Sequence, residues 1–266
     1  MRHLFLPIAA LGVLLVPAAT VAQAPSAAIR AAVSNSGRTP VNRARDRYRH
    51  PAQTLAFFGV KPTDTVVEFS PAGGWYTEIL GPLTNGKGHY IALAGSAKSA
   101  DGATKMLDGK RALIGTTASV ATLDAAAGTS TVPPASADVV LTFRNIHNLT
   151  MGGGATAANA FKAWYAMLKP GGTLGVVEHR LPAERNVTEE KSSGYLKRST
   201  VVALAQQAGF RLAGESAVNA NPNDTADYPK GVWTLPPTLS EGDKDRARYL
   251  AIGESDRMTL KFIKPR

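Results

Sequence analysis

The chain has 266 residues, with 30 Lys and Arg against 20 Asp and Glu and no cysteine. That length allows one large domain or two small ones, and the missing thiols exclude a disulfide framework, a cysteine nucleophile and Cys-ligated metal sites. A composition 44% apolar and 19% charged excludes a disordered chain, and the net charge of +10 favours anionic partners or surfaces without naming them.

In chain order, Arg2 and His3 precede an apolar stretch, Leu4 to Val16, and Ala22-Gln23-Ala24 supplies a small-x-small cleavage pattern. The pattern predicts a signal peptide over 1–24, cleaved before Pro25, and hence a periplasmic or secreted protein. An uncleaved anchor is the alternative. No transmembrane segment is expected after cleavage, because no later stretch approaches 18 unbroken apolar residues. Residues 25–44 are small and polar and read as a flexible arm; 45–266 read as one domain.

Arg43, Arg45, Arg47 and Arg49 make a basic run that reads as a solvated helix face or a lid. Apart from Tyr48 it lacks the interleaved aromatics of a single-strand platform, so no nucleic acid partner is expected. Pro51 opens a helix carrying Leu55, Phe57 and Phe58, and Gly59 ends it. Strands are expected at 65–69, 89–93, 119–123, 138–143, 173–178 and 257–263. Helices are expected at 75–83, 159–168 and 199–208. Strand–helix alternation predicts an α/β fold, a Rossmann-like, doubly wound and mostly parallel sheet. Such sheets bind ligands beyond the carboxyl ends of their strands. That singles out the loops after Phe69, Leu93, Leu123, Phe143 and Glu178. The Pro/Asn/Asp-rich segment 219–239 reads either as a cover for the site or as edge decoration.

The strongest chemical signal is Glu68-Phe69-Ser70-Pro71-Ala72-Gly73-Gly74-Trp75, an acid at a strand end before a glycine-containing turn. Backbone N–H groups at such a turn can face an anionic group, and Glu68 can accept from an ammonium or hydroxyl. With Asp124, the segment Ala137 to Asn148 and Leu168-Lys169-Pro170-Gly171-Gly172, this order of motifs resembles the class I S-adenosylmethionine-dependent methyltransferases, in particular an exported bacterial group of predicted methyltransferases. Asp46-Arg47-Tyr48-Arg49 also resembles that group. The resemblance implies S-adenosyl-L-methionine as cofactor, held by Glu68, Ser70, Pro71, Ala72, Gly73, Gly74 and Thr77, with Asp124 by the adenine. It places Arg144, Asn145 and His147 at the sulfonium and at a small or medium substrate, with His147 as candidate general base. Two departures stand out. Ser70 and Ala72 replace two of the three alternating glycines, and a positive φ at Ala72 would cost about 1 kcal/mol. The second strand ends Leu93-Ala94-Gly95-Ser96, without the usual ribose-binding acid. A non-catalytic exported ligand-binding protein on a degenerate methyltransferase fold is therefore the alternative. No metal is expected, since no His-x-x-x-His pair occurs and the adjacent Glu178 and His179 suit no common chelate.

Overall fold

The computed structural model describes residues 23–266, so the predicted signal peptide lies outside the described residues except for its last two positions. Among the described residues the eight strands are β1 (Thr65–Phe69), β2 (His89–Ala94), β3 (Ser119–Asp124), β4 (Thr129–Ser130), β5 (Ala137–Phe143), β6 (Leu168–His179), β7 (Arg211–Ser216) and β8 (Arg257–Ile263). They form one sheet in the order β4-β3-β2-β1-β5-β6-β8-β7. The run from β3 to β6 is parallel, whereas β8 lies antiparallel to both β6 and β7. The chain builds outward from β1 to β3, then returns to lay β5 on the opposite side of β1. The reversal opens a crevice between β1 and β5, where open sheets of this kind take their ligands.

The pleat divides the core into two faces. Val67, Phe69 and Val140 pack with Phe161, Trp164, Val201 and Phe210 on one side. Val66, Val139 and Leu141 pack with Leu55, Phe58, Ile79, Leu80 and Leu107 on the other. Successive side chains of a strand point to opposite faces, so the continuous apolar runs of β1 and β5 serve both layers. Val66 and Val67 are fully buried, each contributing about 1.5–3 kcal/mol of apolar burial. Glu68 is flanked by Val67 and Phe69 of one layer, so it faces the other, beside Tyr90.

Each strand expected from the sequence forms, with ends shifted by up to five residues. The helix expected at 75–83 runs Thr77–Thr84, the one at 159–168 runs Thr156–Met167, and the one at 199–208 runs Arg198–Gln207. The 25–44 segment corrects the expectation of a flexible arm. It forms helices Ala27–Val33 and Pro40–Arg43 and buries Ile29 and Ala32 in the second layer. The Glu78 carboxylate anchors it, accepting from the Thr39 N–H at 3.1 Å and from Lys110 Nζ at 2.7 Å. Among the described residues no helix is long and apolar enough to cross a membrane.

Candidate active site

A cavity of about 270 Å³ lies at the carboxyl ends of β1, β5 and β6. Glu68 forms part of its wall and is buried. The Tyr90 hydroxyl, from the neighbouring strand, donates to Glu68 Oε2 at 2.5 Å. Burial raises the Glu68 pKa to about 7, against the opposing pull of that hydrogen bond and of Arg49. The carboxyl is thus poised between its neutral and charged forms near neutrality.

The turn above Glu68 has a specific backbone. Ser70, Ala72 and Gly74 have φ of 51°, 50° and 78°, so all three alternating positions are left-handed and two of them carry side chains that disfavour it. Gly74 has a second requirement, because a Cβ there would lie 2.5 Å from Met106 Sδ. Gly73 faces open space, with nothing within 4 Å of an added Cβ. The turn is held from beneath by Asn145, whose Nδ2 donates to the carbonyls of Phe69 at 3.1 Å and Phe143 at 3.2 Å. That amide ties the end of β1 to the end of β5.

At the opposite wall His147 and Glu178 are both buried. His147 Nδ1 donates to Glu178 Oε1 at 2.9 Å; a carboxylate can only accept, so this fixes the tautomer with Nδ1 protonated and Nε2 free to accept a proton. The Glu178 oxygens also accept the N–H groups of Ile146 at 2.6 Å and His179 at 2.9 Å. His179 Nδ1 shares a 2.5 Å hydrogen bond with the Ser255 hydroxyl. Burial, reinforced by His147 and Arg144, drives the His179 pKa well below its ordinary value, so this ring is neutral. His147, Glu178 and His179 offer ligand atoms within 4.8 Å of one another, a juxtaposition hidden by the separation of His147 from the adjacent Glu178 and His179. The donor set does not favour a cation. The Glu178 oxygens are taken up by N–H groups, and the surrounding charge is that of Arg49, Arg144 and Arg257.

The roof comes from far along the chain. Val232, Trp233, Pro236, Pro237 and Thr238 line the cavity, so of the two readings of 219–239 the covering one applies. The Trp233 ring meets His147 edge-on at 6.0 Å.

No protein-family model and no curated protein matches the chain. Solved structures do match. A SAM dependent methyltransferase from Aquifex aeolicus superposes with a TM-score of 0.57 over 83% of this chain and 93% of that one, at 15% identity. The [4+2]-cyclase SpnF gives 0.55 over 87% and 85%, at 15% identity. A methyltransferase-class chain from Haloferax volcanii, solved with the Trm112 methyltransferase activator, gives 0.53 over 90% and 98%, at 19% identity. The chain has the class I methyltransferase fold.

Of the residues expected at a methyltransferase site, the cavity gathers Glu68, Ser70, Pro71, Ala72, Arg144, Asn145 and His147. Gly73 and Gly74 shape the turn behind it. Thr77 is buried against the Tyr90 hydroxyl at 2.8 Å, one step removed from Glu68. Asp124 lies outside the cavity and is exposed, its Oδ1 accepting the N–H groups of Ala126 and Ala127 at 3.0 Å. Sequence reasoning did not anticipate Glu254 or Ser255, and it offered segment 219–239 as a cover without singling out Trp233. It read the basic run as a lid or a solvated face, yet Arg49 is buried, with its guanidinium carbon 4.6 Å from the centre of the Trp75 ring. A Glu-Ser pair just before a strand carries no local signal of a site.

Proposed function

We propose that this protein is an S-adenosylmethionine-dependent methyltransferase acting on a small or medium substrate and exported by its N-terminal signal. The observation that carries the reading is the left-handed turn at Ser70, Ala72 and Gly74 over a buried carboxylate at the switch point of the sheet. The residues fit an adenosyl amino acid. Gly73 leaves its turn unobstructed, and Glu68 offers an acceptor for an ammonium.

When bound, the cofactor supplies an already activated methyl group, so the protein has mainly to align and desolvate the partners. Glu68, Ser70 and Ala72 bind at the β1 side. Asn145 holds the turn to β5 and thereby fixes the distance between the two walls. Trp233, Pro236 and Pro237 exclude water. His147 Nε2 accepts the proton of a protic acceptor, and Glu178 orients the ring and stabilises the imidazolium that results.

Calorimetry with S-adenosylmethionine and S-adenosylhomocysteine tests the reading. Micromolar binding of both, lost in Glu68→Ala, is the expected result; binding of neither up to millimolar concentration would sink it.

A further inference from the structure

Around the cavity four guanidinium groups, Arg45, Arg49, Arg144 and Arg257, outnumber the carboxylates of Glu254 and Glu178. Glu254, from the turn before β8, accepts from Arg45 Nε at 2.7 Å, Arg49 Nε at 3.2 Å and Arg257 Nη1 at 3.0 Å. One carboxylate therefore serves three guanidinium groups. Arg144, half-buried and lining the cavity, adds a fourth cation. Its backbone is left-handed at φ 61°, with its N–H donating to the Val177 carbonyl at 2.7 Å. Arg49 Nη2 is buried without a partner. Of the other nearby carboxylates, Glu68 accepts from Tyr90, and Glu178 from His147 and three backbone N–H groups.

An unpaired guanidinium nitrogen in a buried wall is costly, and an anion brought by a ligand would relieve it. A planar guanidinium fork matches a carboxylate in particular. The lining also includes Trp75, Tyr76, Phe143 and Trp233, aromatic rings that suit an apolar body attached to that anion. The neighbouring His147 Nε2 suits a hydroxyl or amine on the same body.

We propose that the methyl acceptor is an aromatic carboxylic acid bearing a protic group, with its carboxylate held by Arg144 and Arg49. This rests on the methyltransferase reading in calling the ligand an acceptor, but the anion seat itself does not. The rival source of a carboxylate is the methionine end of the cofactor.

The test uses 4-hydroxybenzoate as probe, with phenol as the control lacking the carboxylate and S-adenosylhomocysteine as the second ligand. In calorimetry 4-hydroxybenzoate should bind the S-adenosylhomocysteine-saturated protein at least about tenfold more tightly than phenol. Arg144→Gln should abolish that preference, Arg144→Lys should restore part of it, and neither should change S-adenosylhomocysteine affinity. The comparison of probes on the unaltered protein needs no variant, so a variant that fails to fold leaves the proposal exposed to refutation. Equal binding of phenol and 4-hydroxybenzoate would overturn the proposal. So would loss of S-adenosylhomocysteine affinity in Arg144→Gln, or competition between the two ligands, since either assigns the arginines to the cofactor. If S-adenosylhomocysteine fails to bind while 4-hydroxybenzoate binds in an Arg144-dependent way, the anion seat stands and the methyltransferase reading falls.

Discussion

The imidazole of His147 and the carboxylate of Glu178 meet at 2.9 Å across 31 positions of chain. Parallel pairing of β5 and β6 brings them together, with Phe143 beside Val177. His147 begins one turn beyond β5, and Glu178 is next to last in β6. Replacing His147 by Ala should lower turnover of a protic acceptor by about 10²–10⁴-fold, leaving cofactor affinity unchanged. Steady-state kinetics together with calorimetry separates the two effects. Unaltered turnover would reduce the pair to a packing contact.

The raised pKa of Glu68 gives a pH signature. Only the ionised carboxylate attracts an ammonium, so S-adenosylhomocysteine should bind more tightly as pH rises through about 7. Glu68→Gln should bind weakly and without that slope. Stability moves the other way. A carboxyl whose folded pKa is raised is most stabilising while protonated, below its unfolded value near 4.5, and that contribution is lost as pH climbs through about 7. Glu68→Gln should therefore unfold at higher temperature than the parent at pH 8, by roughly 1–3 kcal/mol in stability. Thermal scans at pH 5 and pH 8 check this; a variant weaker than the parent at pH 8 contradicts it.

The turn stores backbone strain that a side-chain swap can release. Ala72→Gly should stabilise the protein by roughly 0.5–1 kcal/mol, because φ of 50° is free for glycine. Gly74→Ala should cost about 1–3 kcal/mol, combining a positive φ with a Cβ pressed on Met106. Urea unfolding of the two variants should shift in opposite directions.

Glu254 governs behaviour in acid. Burial pushes its pKa up, but Arg49, Arg257 and Arg45 together bring it down to about 2. Its contribution is therefore full above the ordinary carboxylate range and is lost as pH falls from about 4.5 towards 2. Glu254→Gln should cost about 3–5 kcal/mol at pH 7, because it leaves buried cations unpaired, and the difference from the parent should shrink at pH 3. Equal unfolding midpoints at pH 7 would show that the arginines find other partners.

The strands were legible because buried parallel strands are apolar throughout. Thr65-Val66-Val67 and Asp138-Val139-Val140-Leu141 leave no other way to satisfy backbone and side chains together. β7 was not legible. Arg211-Leu212-Ala213-Gly214-Glu215-Ser216 is an edge strand of half-exposed, weak strand formers, held by its pairing with β8. Helix Ala97–Asp108 was missed for a similar reason. Only Ala103 and Leu107 are buried on it, so its apolar stripe is thin.

The sequence by itself determined the alternation of elements, the acid-and-turn at Glu68 to Gly74 and the polar loop from Arg144 to His147. Each of these is a local pattern whose conformation depends on near neighbours. Only the tertiary structure decided that Glu178 orients His147, that Glu254 gathers three arginines from both ends of the chain, and that Trp233 roofs the cavity. Those contacts depend on strand order and on the antiparallel return of β8, which sets Arg257 beside His179. Strand order follows from the summed packing of two layers, and no short stretch of sequence encodes that sum.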